Sequence, residues 1–134
     1  MQNNSFTING VEFDNEKKLV LIAGPCAVES QDHAINIAST IKEVCNKLNI
    51  KFIYKSSFDK ANRSSINSKR GIGLEETMKI FEVLKKTLDI SIITDIHTSE
   101  QASIVANYVD ILQIPAFLCR QTDLLLSAAA TNKP

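Results

Sequence analysis

The sequence predicts an α/β fold with a parallel sheet and helical crossovers, on three observations. Short apolar runs alternate with longer amphipathic stretches along the 134 residues. Four of these runs, all beyond residue 18, lead into helical spacing, which is the pattern of successive β–α units. No linker, low-complexity segment or charge block interrupts them, so residues 1–134 read as one domain.

The elements follow in chain order. Residues 5–8 and 11–13 flank Asn9-Gly10, the pair that supplies both positive-φ positions of a type I′ turn. Residues 1–15 therefore read as a small hairpin. Residues 19–23 form a continuous apolar run stopped by Gly24-Pro25, the pattern of a strand buried on both faces. From residue 31 to 48, Ala34, Ile37, Ala38, Ile41, Val44, Cys45 and Leu48 recur at helical spacing behind a Ser30 N-cap. Residues 51–54 make the next strand, and a long polar segment runs from Lys55 to Gly73. Helical spacing then returns with Leu74, Met78, Phe81, Leu84 and Leu88. Residues 91–94 make a further strand ending at Asp95, and Thr98 or Ser99 caps a helix carrying Ala102, Val105 and Ala106. Residues 110–114 make the last strand, stopped by Pro115, before a helix from about 122 to 130. Residues 19–134 thus hold four β–α units. An open doubly wound sheet fits them, and so does half of a (β/α)₈ barrel, whose usual size is about 250 residues.

Composition excludes several classes. Fifteen Lys and Arg balance 15 Asp and Glu, leaving no global basic field for nucleic acid or an anionic membrane. A 44% hydrophobic, 22% charged chain argues against disorder. No apolar run approaches the roughly 18–20 residues of a membrane span. Residues 1–5 have neither the basic nor the apolar part of a signal peptide. Three widely spaced cysteines do not suggest a disulfide framework and point to a reducing cytoplasm.

In either architecture function gathers at the carboxyl ends of the strands. Cys26, just past the first, is placed as a soft metal ligand or nucleophile, or as a small buried hydrophobe. Cys45 falls on an apolar helical face, and Cys119, among Ala116, Phe117 and Leu118, reads as packing. The segment 55–65 concentrates Lys55, Lys60, Arg63, four serines and Asn62, an anion site or a polar surface loop. Asp95 beside His97 can orient a hydroxyl or move a proton, or can serve as a helix cap. Gln113 and Arg120 follow the last strand. Four cations on the rim of a neutral chain suggest small phosphorylated or carboxylated substrates.

Four stretches carry a resemblance: LIAGPCAVES at 21–30, KSSFDKANRSS at 55–65, ITDIH at 93–97 and QIPAFLCRQTD at 113–123. Together, in this order, they closely resemble the KDO-8-phosphate synthases (3-deoxy-D-manno-octulosonate 8-phosphate synthases), from about residue 8 to the C-terminus. The DAHP synthases share the Gly-Pro-Cys turn, but their loop reads Lys-Pro-Arg-Thr where Lys60-Ala-Asn-Arg-Ser-Ser65 stands here. The resemblance implies a transferase that condenses phosphoenolpyruvate with D-arabinose 5-phosphate, for lipopolysaccharide synthesis in the cytoplasm. It implies a (β/α)₈ barrel with an N-terminal hairpin, usually tetrameric, of which this chain is the N-terminal half.

Site roles carry over on the same terms. Lys55, Ser57 and Lys60 would hold phosphoenolpyruvate, with the Ala116-Phe117 backbone near its phosphate. Asn62, Arg63 and Ser64 would bind arabinose 5-phosphate, and Arg120 would reach a sugar phosphate in a neighbouring subunit. Asp95, Lys60 and Gln113 would lie at the reacting centre. Cys26 would be a ligand for a divalent metal (Mn, Fe, Zn or Cd), as in the family's metal-dependent class. The other ligands, a His, a Glu and an Asp, are expected beyond Pro134 with the last four β–α units; neither His33 nor His97 is among them. The resemblance leaves two further readings: an inactive half barrel that folds by pairing with a copy of itself or a complementing C-terminal half, and a DAHP-type synthase.

Overall fold

The computed structural model describes residues 5–134. The first four residues of the expected hairpin, and most of the stretch read for a signal peptide, lie outside the described residues. Strands β1 (Phe6–Ile8) and β2 (Val11–Phe13) pair antiparallel, and Asn9 and Gly10 both have positive φ, as a type I′ turn requires. Then follow β3 (Val20–Ala23), α1 (Gln31–Leu48), β4 (Lys51–Lys55), α2 (Leu74–Leu88), β5 (Ser91–Asp95), α3 (Ser99–Val105), β6 (Ile111–Gln113), a 3₁₀ turn (Ala116–Leu118) and α4 (Thr122–Ala129). Ser30 caps α1, its hydroxyl accepting from the His33 amide at 3.2 Å.

Sheet order separates the two architectures. Strands β3, β4, β5 and β6 are parallel and lie side by side in chain order, with no reversal. A doubly wound sheet reverses its order midway and so places helices on both faces. Here crossovers of one hand put every helix on one face. Residues of α1 to α4 pack in one core with Tyr54 and Ile92, while the opposite face joins only Ile53, Ile93, Val20 and Ile111 to Val11 and Phe13 of the hairpin. This is four units of a (β/α)₈ barrel, closed at the amino ends of its strands by the hairpin.

Asp110 holds the hairpin there. Its carboxylate, 8% exposed, accepts from Asn9 Nδ2 (2.8 Å), Lys85 Nζ (2.7 Å) and the Ile92 amide (2.8 Å). Two expectations fail. The first apolar run is not buried on both faces: Leu21 and Ile22 are 40% and 44% exposed. β3 is an edge strand, paired only with β4, and its apolar pattern fits a covering layer that the described residues do not provide. Cys119 is exposed rather than packed, at the end of a 3₁₀ turn whose Ala116 and Phe117 also face solvent, whereas Cys45 is buried as expected.

Candidate active site at the carboxyl rim

Two-residue alternation decides what faces the barrel interior. Ile53 and Lys55, Ile93 and Asp95, and Ile111 and Gln113 share that face, and the registers set Lys55 beside Ile93 and Asp95 beside Gln113. Each strand is apolar near its base and polar at its carboxyl end. Of the expected site residues, Lys55, Asp95 and Gln113 are therefore gathered on one rim.

Close backbone approach shapes the rim between β3 and β4. A β-carbon on Gly24 would stand 1.9 Å from the Lys55 carbonyl oxygen, so only glycine lets the two strand ends meet. Beyond it the chains continue in parallel. The Ser57 amide donates to the Cys26 carbonyl (3.3 Å), the Val28 amide to the Ser57 carbonyl (3.0 Å), and Ser56 Oγ to the Pro25 carbonyl (2.8 Å).

Four side chains then connect. Lys55 Nζ donates to Ser57 Oγ (3.1 Å), Ser57 Oγ donates to Asp95, and His97 Nε2 lies 3.0 Å from the other Asp95 oxygen. The Asp95 side chain is 13% exposed. Burial pushes its carboxyl up, but hydrogen bonds from His97 and Ser57 and the Lys55 charge outweigh burial and hold it below its ordinary value. The His97 ring meets Phe58 edge-on at 5.5 Å, and its amide donates to Gln101 Oε1 (2.7 Å). His97 Nδ1 is buried without a hydrogen-bond partner among the described residues. An ionised carboxylate flanked by an ammonium, a hydroxyl and an imidazole can orient a substrate hydroxyl or receive its proton.

Beside this cluster a cavity of about 630 Å³ is lined by Cys26, Glu29, Lys60, Lys69 and Arg70. It brings the expected residues Cys26 and Lys60 together. It also adds Arg70, whose guanidinium grips Asp59 at 2.8 and 2.5 Å and holds that carboxyl below its ordinary value. The Arg70 carbonyl accepts from the Lys60 amide (2.5 Å), which pins the loop's return. Sequence reading missed this clasp, because an Asp and an Arg eleven residues apart in a polar segment carry no periodic signal.

The other expected residues are not drawn in. Asn62 and Ser64 are exposed, and half-buried Arg63 turns back to the Ala61 carbonyl (3.2 Å), its Nε buried without a hydrogen-bond partner among the described residues. Ala116, Phe117 and Arg120 are exposed beyond β6. As for the metal, Cys26 is one exposed donor, and no group of three or more His, Cys, Asp or Glu side chains among the described residues could hold an ion. By themselves these residues do not fit a divalent site. No described helix is long and apolar enough to cross a membrane.

Comparison with known proteins adds the following. Residues 3–134 match the model of the DAHP synthetase I family. The chain is 58% identical over 125 residues to a 2-dehydro-3-deoxyphosphooctonate aldolase of Bartonella tribocorum, covering 93% of this chain and 45% of that protein. Over 131 residues it is 54% and 53% identical to proteins of the same name from Brucella anthropi and Brucella ovis, covering 98% of the chain and 47% of each. It spans about half the length of the curated relatives it matches.

Proposed function

This chain belongs to the DAHP synthetase I family, and on that footing we propose that it carries the substrate-gathering half of a KDO-8-phosphate synthase. In this reading the whole protein condenses phosphoenolpyruvate with D-arabinose 5-phosphate, releases inorganic phosphate and serves lipopolysaccharide synthesis in the cytoplasm. The names of the relatives from Bartonella tribocorum and Brucella anthropi support the reaction over a DAHP-type one. The observation that carries the reading is the cluster Lys55–Ser57–Asp95–His97 at the carboxyl rim, above the apolar base formed by Ile53, Ile93 and Ile111.

Two polyanions must meet for this reaction, and their repulsion has to be offset by fixed positive charge. Lys55 and Lys60 would hold the phosphoenolpyruvate carboxylate, with Ser57 as a neutral donor and the Ala116-Phe117 backbone near the phosphate. Asn62, Arg63 and Ser64 would take arabinose 5-phosphate; the unpartnered Arg63 Nε leaves one donor free for its phosphate. Asp95 would receive or orient a proton, positioned by His97 and by Gln113 alongside. Arg120, exposed, would serve a neighbouring subunit of a homo-oligomer. Cys26 would be this chain's one contribution to a divalent ion whose other donors lie outside these residues; such an ion would act as a Lewis acid.

The test is phosphate release from phosphoenolpyruvate with and without arabinose 5-phosphate, alongside amide-resolved NMR titration with each substrate. Sugar-dependent release, or shifts centred on Lys55, Ser57 and Asp95 with phosphoenolpyruvate and on 62–64 with the sugar phosphate, supports the assignment. A folded chain that shows neither contradicts it.

A further inference from the structure

Between β4 and α2 the chain leaves the rim at Phe58 and returns at Gly71. Phe58 is buried in the core that joins the helices to the sheet, so the point of departure is fixed. The return is fixed against it. A β-carbon on Gly71 (φ +121°) would lie 2.8 Å from the Phe58 carbonyl oxygen, a passage open to glycine alone. Just beyond, the Lys60 amide donates to the Arg70 carbonyl at 2.5 Å, and the Arg70 guanidinium holds the Asp59 carboxylate through Nε (2.8 Å) and Nη2 (2.5 Å). Residues 61–69 hang outside this neck. Among the described residues, every hydrogen bond they make ends within the same stretch: Arg63 on the Ala61 carbonyl, the Asn67 amide on Ser65 Oγ and the Ser68 amide on the Ser65 carbonyl. Such a loop, closed at its base and otherwise tied only to itself, takes its orientation from the neck.

On the site roles given above, we propose that the Arg70–Asp59 pair is a positioning clasp: it holds the loop that carries Asn62, Arg63 and Ser64, and so sets the affinity for the sugar phosphate but not for phosphoenolpyruvate. Exposed ion pairs usually contribute little. This one is two-pronged, and the Asp59 side chain is only 18% exposed. A loop that must be ordered when its ligand arrives spends part of the binding energy on that ordering, and a loop already held does not. Lys55 and Ser57 lie before the neck, on β4 and its continuation, where backbone bonds between Ser57, Cys26 and Val28 hold them. The neck thus divides the two sets of substrate groups. Arg70 also has a rival role. It lines the cavity with Lys60, and its Nη1 is not engaged by Asp59, so it could instead bind an anion directly. The two roles differ in what removing Asp59 does: a ligand would be set free, whereas a clasp would be opened.

Arg70→Ala and Asp59→Ala change the rim charge in opposite directions but open the neck alike. In amide-resolved NMR titrations each is expected to weaken arabinose 5-phosphate binding about tenfold. Phosphoenolpyruvate binding is expected to stay within about twofold of the parent chain. The double variant is expected to lose about tenfold as well, because the two side chains act as one unit. Tighter sugar phosphate binding by Asp59→Ala would make Arg70 a direct ligand and overturn the proposal. So would a loss of roughly 100-fold in the double variant, or an equal loss of both substrates. Hydrogen exchange gives a readout that needs no substrate. The Lys60 amide is expected to exchange about tenfold faster in each single variant, while the Val28 amide, bonded to the Ser57 carbonyl, keeps its parent rate. Glu75→Gln, which weakens the exposed Lys79–Glu75 pair on α2, is expected to change neither rate. An unaltered Lys60 rate in both clasp variants overturns the proposal. A parent chain that binds neither substrate, while its Lys60 amide still responds to both variants, counts against the functional reading and leaves the clasp in place.

Discussion

Asp95 and Asp110 are both largely buried carboxylates, one at each end of the same sheet, and they differ in what surrounds them. Asp110 accepts from three donors, an amide side chain, an ammonium and a backbone N–H, at 2.7–2.8 Å, and ties the hairpin to α2 and β5. Asp95 accepts from Ser57 and His97 at the open end of the barrel interior, next to an ammonium already shared with Ser57 and an imidazole with a bare Nδ1. A buried acid with its oxygens saturated by fixed donors is a staple. One whose partners keep spare hydrogen-bonding capacity is prepared to meet a ligand.

Exchanging the two acids for their neutral analogues should separate these roles. Asp95→Asn should lower turnover by about 10²–10⁴-fold in an assembly competent for the reaction while shifting the urea midpoint little. A comparable loss from Asp110→Asn would erase the distinction. Asp110→Ala should destabilise by about 2–4 kcal/mol, since it strands Lys85 and Asn9; the partial exposure of Lys85 (34%) favours the lower half of that range. Chemical denaturation measures it, and a loss below about 1 kcal/mol would mean that the staple is not one. Gly24→Ala should cost about 1–3 kcal/mol, because the new methyl meets backbone rather than a side chain that can move.

The smallest effect is in acid. The folded Asp95 pKa is lowered, so its contribution is present above the unfolded value of about 3.9 and is lost as pH falls through the lower folded value. Stability of the parent chain should therefore decline more steeply than that of Asp95→Asn as the pH falls below about 4. Parallel curves from urea titrations over that range would show that Asp95 gains nothing from its neighbours.

Much of this was legible because it is local. Asn9-Gly10 specifies its turn by φ alone, Ser30 caps the helix three residues from its partner, and the alternation that puts Lys55 and Asp95 on one face is a period of two. The staple was not legible: Asn9 and Asp110 lie 101 residues apart, and each looks like an ordinary turn residue in its own segment. Nor does an apolar run such as 19–23 announce which polypeptide will cover it. The basic lining beside Cys26 was not legible for a related reason, since Lys69 and Arg70 come from the far end of a long loop. Gly24 was read as a strand stop; the 1.9 Å clearance to Lys55 is a property of two strands together.

The order of the sheet also bears on how the molecule is made. Each strand of the parallel sheet bonds to the strand synthesised next to it in time, so the layer can be assembled from the amino end as the chain emerges, with modest loops to close at each step. The hydrogen bond from Asn9 to Asp110 breaks that rule. The hairpin, made before the sheet it covers, must wait for the approach to the fourth strand before it can lock, so the cap at the barrel's base sets after the strands beneath it rather than before them.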